Sequence, residues 1–315
     1  MVLSSSTRFR RQNRPLRFER LEHRKLLAAD LVLTWNDVML DAVRVDSTAP
    51  PKAARAMAIV QTAIYDSVNA IDRTHAVYAV DLLASPTTSR EAAVSAAAHA
   101  TLASLFPDQR AKFDTQYQAD LAAIPDGQAE DLGVALGSQV ASKMLALRAN
   151  DGSNAVVTYT PGTKPGDWIP TPPANAPALL PQWPDVTPFA MKSGSQFTPH
   201  GIPALTSMQY AEALNEVKAI GSATSTTRTA DQTNIALFWA NGGGTATPPG
   251  HLNIMAQKAA IAKGNTLSEN ARLFAVLNVA LADAAIMAWD AKYDTNFWRP
   301  ITAIRAADTE GNANT

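Results

Sequence analysis

Cysteine is absent from this chain. That excludes disulfides, thiolate metal sites and a cysteine nucleophile. An excess of one charge is also lacking, since 27 Lys and Arg against 28 Asp and Glu leave a formal net charge of −1. With no basic surplus to neutralise phosphates, nucleic acid is not an expected partner. No uninterrupted apolar run reaches the 18 or so residues that span a bilayer, so no transmembrane segment is expected. No useful run alternates with period two, which argues against strands. Histidine is scarce, with His23, His75, His99, His200 and His251 the only imidazoles available for acid–base or ligand chemistry.

What remains is ordinary globular composition, 46% hydrophobic and 17% charged over 315 residues, enough for one large domain or two small ones. The amino terminus is set apart. Arg8, Arg10, Arg11, Arg14, Arg17, Arg20, Arg24 and Lys25 face only Glu19 and Glu22 before a short Leu26-Leu27-Ala28-Ala29. The apolar part is too short for a Sec signal. The run Phe18 to Ala28 looks like a short leader of exported bacterial proteins, which implies a periplasmic or extracellular location. A solvated basic tail on a cytoplasmic protein is the other reading. Residues 1–29 are set aside from the fold, and 30–315 are read as one helical domain.

From Leu31 onward the pattern is helical. Pro50-Pro51 opens a run in which Ala54, Met57, Ala58, Ile64, Tyr65 and Val68 share a face. Ser89 can cap a helix from Glu91 to Leu105 that stops at Pro107. Further helices are expected over Asp108–Ala123 and Gln128–Arg148, each closed by turn residues. Thr206 or Ser207 can cap a helix to Ile220. Thr229 with Gln232 and Thr266 with Glu269 are capping boxes, and Pro248-Pro249 opens a helix stopped near Gly264. The longest apolar stretch, Leu273 to Trp289, is apolar nearly all round and is expected at the centre of the bundle. The fold class expected is all-α, a helical bundle.

Residues 151–206 interrupt this pattern. Eleven of the twenty prolines fall between Pro161 and Pro203, among Trp168, Trp183, Phe189 and Phe197. Aromatics are rare in disordered linkers, so the loop is expected to pack on the helical body, as lids and binding loops do. A domain boundary is the competing reading.

The end of the apolar stretch carries the candidate chemistry: Lys292, six residues, then Arg299-Pro300. This puts one cation at the end of a helix and a second in the next turn, where Pro300 biases Arg299 away from helix. Arg offers a planar fork of donors and Lys a mobile point charge, a pair suited to an oxyanion. The alternative is a dipole-complementing Lys292, with Arg299 bridged on the surface to Asp290 or Asp294. Asp283, within the same helix, needs a partner if buried. Orienting an Arg or lining a polar seam between helices would each supply one.

Lys292, Arg299 and Pro300 match the first motif of the superfamily that joins vanadium haloperoxidases to lipid phosphatases and bacterial acid phosphatases. The stretch Trp289-Asp290-Ala291-Lys292-Tyr293 with Phe297 to Arg305 resembles the haloperoxidase branch. So do Trp35-Asn36, Pro50-Pro51, Ala63 to Asp66, Phe238-Trp239 and Thr247 to Asn253. The resemblance spans residues 30 to about 307 and implies the helical bundle of that superfamily. It implies vanadate as cofactor, with oxygens held by Lys292 and Arg299 and the motif backbone fixed by Pro300. Hydrogen peroxide and halide, or a small organic substrate, would be the partners. The same scaffold with phosphate would make a phosphomonoesterase.

The family's second motif, Pro-Ser-Gly-His, and third, Ser-Arg-x5-His-x3-Asp, are not found in the 315 residues. Pro248-Pro249-Gly250-His251 is a poor substitute, with Pro where Ser is needed. His251 is thus a weak candidate for catalysis, and a locally hydrogen-bonded histidine at a helix start is the other reading. His200 is weaker still. The expectation is a truncated haloperoxidase, inactive as written, that self-associates through uncovered core. A non-catalytic exported helical fragment is a further reading.

Overall fold

The computed structural model describes residues 30–198 and 201–315. The basic leader and His200 lie outside them. Helix α1 (Leu31–Val45) starts where the Asp30 carboxylate accepts from the Val32 and Leu33 amides, satisfying two donors of an open helix end. Helix α2 (Pro50–Asp72) begins on its two prolines, whose missing amide protons cost nothing in a first turn. Ser89 caps α3 (Arg90–Leu105). Pro107 then imposes a short 3-10 turn, so α4 runs Arg110–Ala123 and not from Asp108. Helix α5 covers Gln128–Arg148.

After the Pro-rich loop, Ser207 and not Thr206 caps α6 (Met208–Gly221). Helices α7 (Ala230–Trp239) and α9 (Leu267–Thr295) both open on complete capping boxes, and α8 (Thr247–Lys263) lies between them. A short α10 (Pro300–Arg305) follows. Among the described residues no strand forms; a single isolated bridge joins Asp167 to Phe297. The fold is all-α.

Helix α2, not α9, occupies the centre. From Ala53 to Ile71 every residue except Arg55 is buried. Several of its polar residues are satisfied in place: Thr62 and Ser67 donate back to the carbonyls of Ala58 and Ala63, and the Asp66 carboxylate accepts from the amides of Tyr78, Ala79 and Val80. Helix α9 packs one face on α2 and leaves others open, with Val276 60% exposed. An all-round apolar composition therefore did not mean all-round burial. Contrary to expectation, α9 is long and apolar enough by composition to cross a membrane. In this fold its buried face carries Asn270, Asn278 and Asp283, each hydrogen-bonded, as in the core of a bundle.

Two arrangements set the geometry. Helices α3 and α5 approach closely because a side chain at Gly133 or Gly137 would collide with the carbonyl oxygens of Ser89 or Ala93. Between α8 and α9, Asn253 and Asn278 exchange reciprocal amide hydrogen bonds of 2.8 and 2.9 Å.

The Pro-rich loop is strapped to this body. Asp283 accepts from the backbone amides of Phe189, Ala190 and Met191 at 2.6 to 2.8 Å, so its partner is the loop and neither an Arg nor a helix seam. Buried Arg148 donates to the carbonyls of Thr187 and Pro188 and stacks 3.9 Å from the Phe189 ring centroid. Asp151 ties Arg148 to Arg55, with contacts of 2.8 and 2.7 Å.

Candidate oxyanion site

Helix α9 ends at Asn296, which adopts the left-handed conformation (φ 47°, ψ 35°) while its amide donates to the Lys292 carbonyl at 3.1 Å. Lys292 is therefore in the last helical turn. The chain then runs extended, with Arg299 at φ −79°, ψ 155°, the conformation the following proline favours. The two cations end up either side of a helix stop and line one cavity of about 400 Å³.

The Pro-rich loop supplies the opposite wall. The Trp168 amide donates to the Asn296 carbonyl and the Trp298 amide to that of Gly166, both at 2.8 Å. The Tyr159 hydroxyl reaches the Asn296 side chain. Trp289 Nε1 and the Tyr293 hydroxyl both donate to the Leu179 carbonyl at 2.8 Å. These contacts bring Tyr159, Trp168 and Leu179 to the motif, and Ile202 lines the same cavity. Sequence reasoning anticipated a packed loop, but did not assign these four to the site. Trp168, an aromatic within a proline-rich run, was the available signal.

The electrostatics suit an anion. The Lys292 ammonium sits 3.9 Å over the Trp289 ring, a cation–π contact. Partial desolvation, and then the nearby Arg299 charge, lower its pKa from 10.5. Among the described residues no ion pair joins Arg299 to Asp290 or Asp294. Asp290 instead accepts from the Thr198 hydroxyl at 3.3 Å. Two cations that no carboxylate among the described residues neutralises, facing one cavity, can hold an oxyanion by charge-assisted hydrogen bonds.

The remaining candidate lies elsewhere. His251 is the fifth residue of α8, and the Asn241 side-chain amide donates to its Nδ1 at 2.8 Å. Its ring stacks on Trp239 and meets Phe238 edge-on. It lines a separate cavity with Arg44 and Asn241 and does not share one with Lys292. Among the described residues no three His, Cys, Asp or Glu side chains cluster as metal ligands would.

Residues 272–314, from α9 through α10, match the family described as VCPO second helical-bundle domain. The chain is 26% identical, over an alignment 364 positions long, to vanadium chloroperoxidase of Curvularia inaequalis, an alignment covering 92% of this chain and 59% of that protein. It thus spans about six-tenths of that relative's length. A crystal structure described as the first bacterial vanadium-dependent iodoperoxidase superposes with TM-score 0.78 and 26% identity, over 88% of this chain and 72% of that one. The holo form of a bacterial vanadium-dependent chloroperoxidase shares the fold, with TM-score 0.62 and 17% identity, over 82% of this chain and 65% of the other.

Proposed function

We propose, for a chain that belongs with the vanadium-dependent haloperoxidases in sequence and fold, that the cavity at the end of α9 holds vanadate between Lys292 and Arg299. The observation that carries this is the pair of cations on one cavity, neither neutralised by a carboxylate among the described residues. Such a donor set fits a tetrahedral or trigonal-bipyramidal oxyanion. When bound, vanadate supplies the Lewis acid at which hydrogen peroxide is activated to oxidise halide. The chain's own residues bind and orient it. Arg299 contributes a rigid fork and Lys292 an ammonium steadied by Trp289. The aromatic loop wall borders both side chains, which stay solvent-exposed. The phosphomonoesterase reading uses the same two cations; the haloperoxidase relatives favour the peroxidase reading.

Within these 315 residues the cage has the first motif and not the other two. We therefore expect outer-sphere, weak oxyanion binding and little turnover from this chain alone. Isothermal titration with orthovanadate, alongside iodide and bromide peroxidation assays, tests both statements. Weak binding that disappears in Lys292→Ala and Arg299→Ala supports the site, whereas identical titrations of all three proteins set it aside. Vigorous peroxidation by the 315-residue chain would overturn the reading of an incomplete cage. The basic leader supports export. A reporter fused to residues 1–29 that stays in the cytoplasm of a bacterial host would count against it.

A further inference from the structure

The cavity that Lys292 and Arg299 share is larger than an inorganic oxyanion needs. At about 400 Å³ it falls in the range of sites that enclose small organic ligands. Its other walls are mainly aromatic: Tyr159, Trp168, Trp289, Tyr293 and Phe297 line it, with Leu179 and Ile202 beside them. The polar tips of three of these rings are already committed. Trp289 Nε1 and the Tyr293 hydroxyl are spent on the Leu179 carbonyl, and the Tyr159 hydroxyl on the Asn296 side chain. What those rings can still offer a ligand is their faces and edges, apart from the face of Trp289 that the Lys292 ammonium covers. Tyr159 already meets Trp168 and Tyr293 edge-on, at centroid distances of 5.6 and 5.2 Å and near-perpendicular angles, a packing that holds an aromatic wall in a fixed shape.

Resting on the oxyanion reading of Lys292 and Arg299, we infer that the rest of the cavity is a subsite for a flat aromatic organic substrate, whose ring packs against Trp168, Trp289 and Tyr293 beside the bound oxyanion. The chemistry that recognises it is twofold. Ring stacking and edge contacts select an aromatic over an aliphatic group of similar charge, and the two cations favour a ring bearing or approaching an anionic group.

Phenylphosphonate is a probe that fills both halves, its phosphonate standing for the oxyanion and its ring for the substrate. Methylphosphonate fills only the first. Isothermal titration of the full 315-residue chain is expected to give about tenfold tighter binding of phenylphosphonate, the size of effect that a well-formed aromatic contact produces. Trp168→Leu, which keeps apolar bulk and leaves the backbone pairing of residue 168 in place, should bring the ratio of the two affinities towards one. If the wild-type chain binds both phosphonates equally, the aromatic subsite is wrong while the oxyanion reading stands. If neither phosphonate binds, both readings fall. Should Trp168→Leu fail to fold, the wild-type comparison alone decides.

Discussion

The Lys292 ammonium rests 3.9 Å above the indole of Trp289, on the preceding turn of the same helix. Partial desolvation there, and the Arg299 charge, hold its pKa below the ordinary 10.5. Because the folded value lies below the unfolded one, the folded chain binds fewer protons between the two, and stability rises with pH across that window. Oxyanion affinity moves the other way, since it needs the charged form. Affinity for phosphate should therefore decline at a lower pH than an ordinary lysine would impose. Lys292→Arg should remove that decline, because a guanidinium does not deprotonate in this range. A Lys292→Arg chain with the wild-type pH profile would show that another group titrates.

Asp283 is the loop's main anchor on α9. Replacing it with Ala leaves three backbone amides at residues 189–191 without their acceptor. The expected cost is about 2–4 kcal/mol, seen as a lowered urea midpoint, with faster proteolytic cleavage between Thr187 and Met191. If cleavage and midpoint both match the wild type, the loop is held by other contacts.

Asp151 neutralises two guanidinium groups at once. Burial would raise its pKa, but the Arg55 hydrogen bond and charge, followed by Ser153, outweigh this and lower it below 3.8. This stability contribution is present above the unfolded pKa and is lost as pH falls through the lowered folded value. Asp151→Asn leaves buried Arg148 and half-buried Arg55 unpaired, and should cost about 3–5 kcal/mol at neutral pH. The difference between variant and wild type should narrow below about pH 4. A constant difference down to pH 2 would mean that the carboxylate charge is not what matters.

Much of the fold could be read from short-range signals. Ser89, Thr229 and Thr266 begin helices because each side-chain oxygen accepts from a first-turn amide that has no partner within the helix, and Pro107 stops one because it has no amide hydrogen. Burial was less legible. Gln61, Thr62, Asp66, Ser67 and Asn69 make α2 look amphipathic, yet each is buried, with four of them satisfied locally or by the next loop. Helix α9 looks like a centre because Leu, Val and Ala surround it, but composition cannot count neighbours. At the site, Lys292 and Arg299 stand out by charge and spacing. Leu179 does not, because it binds Trp289 and Tyr293 through its carbonyl, a group every residue has.

Helix α7 exposes Ile235, Leu237, Phe238 and Trp239, with Leu237 70% exposed, and buries no residue. Exposed apolar side chains promote association where they form a patch. If this chain self-associates through α7, Leu237→Lys should lower the sedimentation-average mass of concentrated protein without lowering its thermal midpoint. Unchanged mass in the variant would acquit this helix.

Asp283 and Lys292 are nine residues apart on α9, which at 3.6 residues per turn is about two and a half turns, or roughly 13 Å. Their side chains thus leave the helix half a turn out of phase. The same loop is pinned by the first and faces the second, so it girdles the helix like a collar and fixes its rotational phase as well as its height. Adding one residue between them would turn Lys292, and Arg299 after it, by about 100° relative to that collar and carry both charges away from the aromatic wall the loop supplies, while leaving the α2 core in register.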